Sequence, residues 1–339
     1  DSPSAPAQWV FPAGTLIEGN GHLVVWGDSS QPASTSASSN LNAGFALSGS
    51  SGAVYLFNAL GQRVDAVEYG FQLPDQSIGR VSGQWRLLSG PTPGQLNAAP
   101  AALGALTNVR LNEWLAASTN GPDWFELYNR GALPVNLEGA YLTDDPSLLG
   151  MTRFRVGPLS FVGAKDWVVW LADSDPSQGR DHVNFSLDDL GETLRLYSPT
   201  VTLLDVVDFG LQTPEVSQGR LPDGETTIVA FATSASPGGA NYLPITSVVI
   251  NEILAHTDNP FEDAIELFNP TANPVDVSGW YLSDLESDLK QYQIPAGPPI
   301  PAGGFRMFYE NQFNPTPGVP PSFALSSGRG DQVHLSVAD

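Results

Sequence analysis

The chain has 339 residues, and its net charge of −22 comes from scarce cations: 36 acidic residues face 14 basic ones, and only Lys165 and Lys290 are lysines. A surface this acidic repels phosphate backbones, which argues against nucleic acid as a partner. The lack of cysteine removes disulfides, thiolate zinc sites and cysteine nucleophiles together. Hydrophobic residues make up 41%, enough to fill the cores of two or three domains. No apolar run reaches the ~18 residues of a membrane span, so no membrane insertion is expected. The chain opens on "DSPSAPAQ" without an initiator Met, and a mature or excised piece of a longer polypeptide is expected.

The elements read as β from end to end. "LVVW" at 23–26 and "VYLFN" at 54–58 are short runs of β-branched and aromatic residues, bounded by Gly, Pro, Asn and Asp. "WVVWLA" at 167–172, "LRLYS" at 194–198 and "VVDFG" at 206–210 have the same character. Gly and Pro together number 63, which leaves no long helical window; one turn of helix is expected near "SLDDLGET" at 186–193.

These runs recur. The stretch from Val54 to Arg80 aligns without a gap on Leu194 to Arg220, so that Asp65 meets Asp205, Gly70 meets Gly210, and Gly79-Arg80 meets Gly219-Arg220. Phe45, Phe185 and Phe323 are matched anchors 140 and 138 residues apart, expected at equivalent buried sites. A second set of matches precedes them. Asn112-Glu113 meets Asn251-Glu252, "ELYN" at 126–129 meets "ELFN" at 266–269, and "GAYLTDD" at 139–145 meets "GWYLSDL" at 279–285. A repeat with a period of about 140 residues divides the chain into three. Residues 1–99 form a unit without its front strands, 100–243 a complete unit, and 244–339 a unit without its last strands. The linkers "GQLNAAPAALGAL" and "GGANYLPITS" separate them.

At this point the residues resemble a known family. "INEI…FEDAIELFNP…PVDVSGWYLSD" is similar to the opening of a lamin tail domain, and "GDQVHLS" and "LLDVVDFG" to its later strands. The resemblance implies tandem immunoglobulin-like β-sandwiches, an all-β fold. It also implies a bacterial protein that is secreted or attached to the cell surface. Arg130 stands where the third unit has Pro270, and Ala140 where it has Trp280; neither disturbs the fold expectation.

Four constellations invite chemistry. Glu113 and Glu126, repeated as Glu252 and Glu266, could form a carboxylate pair for acid–base work of the glycosidase kind. The apolar–acidic alternation of "FEL" and "IEL", and the tandem repetition, favour instead two polar positions on a solvated or edge face. "DSDPSQGRD" at 173–181 offers oxygens at Asp173, Asp175 and Ser177, with Asp181 following, and these make Asp173, Asp175 and Asp181 calcium candidates. The EF-hand pattern then fails, because Gly179 comes one place late and Asn184 stands where the bidentate Glu belongs. "TDDPS" at 143–147 and "SDLESD" at 283–288 are similar loops, which more often make Asx turns. "RGD" at 329–331 reads as a hairpin turn at Gly330 rather than an integrin motif. The histidines, His22, His182, His256 and His334, share no repeat position, and no nucleophile elbow or phosphate-binding loop is present. Trp26, Trp114, Trp124, Trp167, Trp170 and Trp280 could make a sugar-stacking platform, but they sit mostly in apolar runs and read as core.

The expected function is therefore a non-catalytic, extracellular structural or adhesive segment, with no cofactor beyond the calcium candidates. Its expected partners are neighbouring domains or copies of itself, or a surface glycan or protein. The alternative is a glycan- or protein-binding accessory module of a secreted enzyme.

Overall fold

The computed structural model describes residues 4, 6–258, 260–285, 288–326, 328 and 330–337. The chain is nearly all β, with 33% strand against 3% helix, which fits the immunoglobulin-like class. Among the described residues the one α-helical turn is not at 186–193, which is a turn, but at α1 (Glu310–Phe313). The chain separates into two compact units, Asp1–Tyr242 and Leu243–Asp339.

In the first compact unit, six short strands precede the main sandwich: β1 (Val24–Trp26), β2 (Asn40–Asn42), β3 (Gly52–Phe57), β4 (Arg63–Tyr69), β5 (Ile78–Val81) and β6 (Gln84–Leu87). They pair two by two as β1–β2, β3–β4 and β5–β6. The sandwich follows with β7 (Val109–Leu115), β8 (Asp123–Asn129), β9 (Val135–Asn136), β10 (Tyr141–Thr143), β11 (Phe154–Arg155), β12 (Phe161–Val162), β13 (Trp167–Ala172), β14 (Glu192–Tyr197), β15 (Leu203–Phe209), β16 (Ser217–Arg220) and β17 (Ile228–Phe231). One sheet has the order β13-β8-β7-β16-β17 and the other β11-β10-β14-β15.

Period-two alternation builds the core between these sheets. Val168, Trp170 and Ala172 of β13 face inward with Phe125 and Leu127 of β8 and Leu194 and Leu196 of β14. In β7 the alternation breaks on purpose. Val109 and Leu111 point in, the register slips between Leu111 and Glu113, and Trp114 and Ala116 then point in. The extra residue, Asn112, is a β-bulge that carries Glu113 to the outer face.

Residues 70–72 pin the earlier strands to this sandwich. Phe71 enters the core edge-on to Trp170, with ring centroids 4.9 Å apart, and its carbonyl accepts the N–H of Phe161 at 2.9 Å. Gln72 Nε2 donates to the Leu159 carbonyl at 2.7 Å. Gly70 allows the approach, because a Cβ there would lie 2.0 Å from Ser160 Oγ. Phe45 differs from the other two anchors. Phe185 is fully buried, whereas Phe45 is half-buried and lines an apolar groove of about 710 Å³ with Trp9, Phe11, Val54 and Phe57. Among the described residues before β5 no pair equivalent to β7–β8 covers it.

The second compact unit contains β18 (Val249–Leu254), β19 (Ala264–Phe268), β20 (Tyr281–Ser283), β21 (Tyr292–Gln293), β22 (Phe305–Tyr309), α1 and β23 (His334–Ser336). Its sheets run β18-β19-β22 and β21-β20-β23 over a core that includes Ile265, Leu282, Phe308 and Phe323. The β18–β19 register slips between Ile250 and Glu252, at the residues that align with the β7 bulge. A second matched slip falls between Leu56 and Phe57 and between Leu196 and Tyr197.

Phe185 is fully buried and stacks on Phe125 at 6.0 Å. Truncating it to Ala is expected to cost ~3–5 kcal/mol in denaturant unfolding, the range for a buried Phe. Phe45→Ala should cost less than half of that, and equal losses would contradict the difference in burial.

Candidate functional site

The slip in β7 creates the most chemically loaded place in the molecule. Glu113 and Glu126 are register partners on adjacent strands, and both are fully buried rather than on a solvated face. What buries them is the segment 232–242, a strap that follows β17. Ser236 gives its backbone N–H to both oxygens of Glu113 at 3.2 Å, and its Oγ donates to Oε2 at 3.2 Å. Ser217 Oγ donates to Glu113 Oε1 at 2.5 Å. Gly238 N–H donates to Glu126 Oε2 at 2.8 Å. Asn112 Nδ2 reaches Glu126 Oε1 at 2.8 Å and Asp223 Oδ1 at 2.7 Å, while its own Oδ1 accepts the Gly224 N–H. The Asn241 N–H closes the far end on Asp223 Oδ1 at 3.2 Å.

Among the described residues no Lys, Arg or His forms an ion pair with Glu113, Glu126 or Asp223. Burial pushes the Glu113 carboxyl up, against the pull of the Ser217 and Ser236 donors. Burial also holds Glu126 well above the usual carboxylate range; Asn112 and Gly238 pull it down, and the neighbouring Glu113 and Asp223 push it further up. Asp223 is raised for the same first reason, its burial. Both glutamates have zero exposure, so neither can meet a substrate in this state. Their oxygens are spent on the strap, on Ser217 and on Asn112.

A second grip lies beside it. Arg220 Nη2 contacts both oxygens of Asp205 at 3.1 Å, Arg220 Nε donates to the Leu111 carbonyl at 2.7 Å, and Asp205 Oδ2 accepts the Leu111 N–H at 2.9 Å. The pair thus clamps the backbone just before the bulge. Gly219 makes room for it, since a Cβ there would sit 2.6 Å from the Asn112 carbonyl. The matched positions Asp65 and Arg80 also form an ion pair, at 2.7 Å, but half-exposed. The sequence pairs Asp65 with Asp205 and Arg80 with Arg220, and that shared spacing was the available signal for a role it did not assign.

The same residues in the second compact unit are open. Asn251 Nδ2 donates to Glu266 Oε1 at 2.7 Å, copying the Asn112–Glu126 bond, and Asn251 and Glu252 are exposed. The far edge of β18 has no strand partner among the described residues.

The calcium candidates lie in a self-bonded loop. Asp173 Oδ1 accepts the Asp175 N–H at 3.1 Å, and its Oδ2 pairs with Gln178 Nε2 at 2.8 Å and His182 Nδ1 at 2.7 Å. Asp175 accepts from Ser177 N and Oγ, and the Ser177 donors hold its carboxyl below the usual range. Asp181 instead accepts from Ser51 Oγ at 3.5 Å. Among the described residues no three His, Asp or Glu side chains are grouped to hold a metal ion. Asp145 makes the expected Asx turn with the Ser147 N–H at 2.8 Å. In "SDLESD" Glu286 and Ser287, and in "RGD" Arg329, lie outside the described residues; Gly330 has φ +76°, as a turn glycine should. Trp114, Trp124 and Trp170 are buried as expected, while Trp26 is half-exposed.

Sequence reading missed an acidic recess. Asp123, Asp144, Asp188, Asp189 and Glu192 line one shallow depression at the end of the sandwich. Burial pushes Glu192 up to about 7, with Asp144 and Asp188 adding to it. Asp144 is answered by Arg153 at 2.5 Å.

The family model of the Lamin Tail Domain matches residues 244–338, a family with an immunoglobulin-like fold. No curated protein and no solved structure matches the chain.

Two outcomes follow from these surroundings. Glu126→Ala takes an acceptor from the buried Asn112 amide and from the part-buried Gly238 N–H, and should cost the ~1–3 kcal/mol of an unpaired buried donor. Glu266→Ala, at the open copy, should change stability by less than ~1 kcal/mol in the same chemical unfolding series. Glu192 has a folded pKa above its unfolded value. Its contribution is therefore fully present below about 4.5 and lost as pH rises through about 7. Thermal unfolding should show Tm falling between pH 5 and pH 8, and Glu192→Gln should flatten that fall. An unaltered slope in the variant would mean that other groups set it.

Proposed function

We propose that this chain is a non-catalytic structural segment of tandem immunoglobulin-like domains, carried outside the cell or on its surface as part of a longer fibre-forming or adhesive protein. The observation that carries the reading is the fate of Glu113 and Glu126. The acidic pair best suited to catalysis is sealed under the strap, and its oxygens serve backbone and side-chain donors. A division into units 1–99, 100–243 and 244–339 is part of the reading. The register slips at matched residues support it, as does the recurrence of Asp65–Arg80 as Asp205–Arg220. Neighbouring domains, copies of itself or a surface glycan or protein are the partners of this reading, and the charge of −22 argues only against nucleic acid.

One observation favours a second reading as a binding module. The groove beside Phe45 gathers Trp9, Phe11, Tyr55 and Phe57, aromatic faces of the kind on which a sugar or an apolar side chain can rest.

The calcium loop is part of the structural reading too. Its carboxylates already have protein donors, which supports a self-contained turn without a resident cation.

Three measurements test these statements. An antibody to this chain should label intact producing cells, and external protease should remove the label; label confined to lysed cells would overturn the surface assignment. A glycoside and phosphoester panel should give no turnover, and turnover lost in Glu126→Gln would overturn the non-catalytic one. Calcium should raise Tm no more than sodium does at equal ionic strength. A specific calcium shift abolished by Asp173→Ala would reinstate the metal site.

A further inference from the structure

Residues 208–212 repeat, 140 residues on, the segment 68–72 that plugs the main sandwich. The two loops are built alike. The Gln72 N–H donates to the Gly49 carbonyl and the Gln212 N–H to the Asp189 carbonyl, each at 2.7 Å. Gln72 Nε2 donates to the Gly70 carbonyl at 3.0 Å, and Gln212 Nε2 to the Gly210 carbonyl at 2.6 Å. Asp75 and Glu215, at matched positions, both take a left-handed φ, +54° and +60°.

The first loop is docked. The Gly70 N–H donates to the Pro158 carbonyl at 3.2 Å, and the Phe71 carbonyl accepts the Phe161 N–H. Glu68 takes the Arg180 guanidinium, and Ser160 closes on Gly70 so tightly that no Cβ would fit. The second loop carries the same parts unused. Leu211, at the Phe71 position, is 74% exposed. Asp208, at the Glu68 position, is exposed and forms no ion pair among the described residues. A Cβ on Gly210 would meet nothing within 4 Å, and its φ is not left-handed. Neither crowding nor backbone conformation within the loop calls for glycine there, whereas a strand laid against it would. A loop with one shape in its docked and open copies also binds without a cost of reordering.

The docked copy defines what fits. It is a sandwich edge with an N–H where Phe161 stands, a carbonyl where Pro158 stands, an apolar gap beside a ring like that of Trp170, and an arginine where Arg180 stands. At 158–161 of this chain Phe71 already fills that edge. The bridge between Val275 and Ile300 matches Phe161 to Pro299, which has no N–H to give.

We propose that Gly210–Gln212 is a docking knob for a further immunoglobulin-like sandwich of this kind, one that presents such an edge unfilled. This rests on the reading of the chain as tandem domains that associate with their neighbours. The contact is weaker than the one at Phe71. Leucine is smaller than phenylalanine, and exposed Thr213 stands where Leu73 is buried with Leu159 and Phe161.

The chain's own edge serves as the probe. An Asp side chain is too costly to bury beside Trp170, so Phe71→Asp vacates 158–161 for the knob of another molecule. In sedimentation velocity the parent should keep one mass across concentrations. Phe71→Asp should gain mass with concentration, ~twofold or beyond, because a head-to-tail contact can continue. Phe71→Asp combined with Leu211→Asp should behave as the parent does, and circular dichroism spectra like the parent's would establish that both variants are folded. A folded Phe71→Asp that does not associate, or that associates equally without Leu211, overturns the knob. Should Phe71→Asp not fold, Phe71→Leu is the second variant. The Phe161 N–H should stay protected from hydrogen exchange in it, because this edge must accept leucine if Leu211 is to dock on its like. Loss of that protection overturns the proposal as well. Neither measurement bears on cell-surface label or on turnover, so failure here is separable from failure of the structural reading.

Discussion

The main sandwich of the first compact unit depends on one extra residue in β7. Without the slip at Asn112, alternation would aim Glu113 into the apolar core and Trp114 out of it. The bulge reverses the phase in mid-strand, so one strand serves two environments. Its first half packs the core through Val109 and Leu111, and its second half through Trp114, followed by Ala116 just past the strand. The acids displaced to the outer face then need donors, and the strap, Ser217 and Asn112 supply them. The Asp205–Arg220 pair fixes the backbone at Leu111, where the phase changes. Local kink, buried acids, ion pair and strap are consequences of a single insertion.

Much of this was legible in the sequence, in the parts that depend on local pattern. Short β-branched runs between Gly and Pro clusters gave the all-β class. Matched Phe anchors located buried sites at Phe185 and Phe323, because core positions follow from a strand's own alternation. Phe45 departs from them because burial also needs a covering partner, which no strand's own residues encode. The same limit hid the nature of Glu113 and Glu126. Alternation within "FEL" says which side Glu126 takes, but not that a Ser-, Pro- and Gly-rich segment more than a hundred residues later lies over it. That segment has the composition of a linker.

The acidic recess was hidden for a related reason. Asp123, Asp144, Asp188 and Glu192 come from separate strand ends and turns that meet only when the sandwich closes. The loop at 173–181 shows the opposite case. Its oxygens are close in sequence and look like a ligand set, yet proximity along the chain also lets them bond each other and nearby amides. Dense spacing of Asp and Ser is ambiguous between a metal loop and a turn until the direction of each donor is known.

The plug at Phe71 bears on how force would travel. A segment joined to a sandwich by its linker alone transmits tension along the backbone at one point, the start of β7. Here residues 70–72 are also fastened sideways, by the Phe161 and Gln72 hydrogen bonds and by a ring wedged on Trp170. Tension arriving from the 4–69 side meets this anchorage before it reaches the linker, and loads the β12 edge in shear. The linker at 94–106 is fastened as well, by the Ala101 N–H on the Leu87 carbonyl at 2.9 Å and the Gly104 N–H on the Pro134 carbonyl at 2.8 Å, so load is divided between two attachments before it reaches β7.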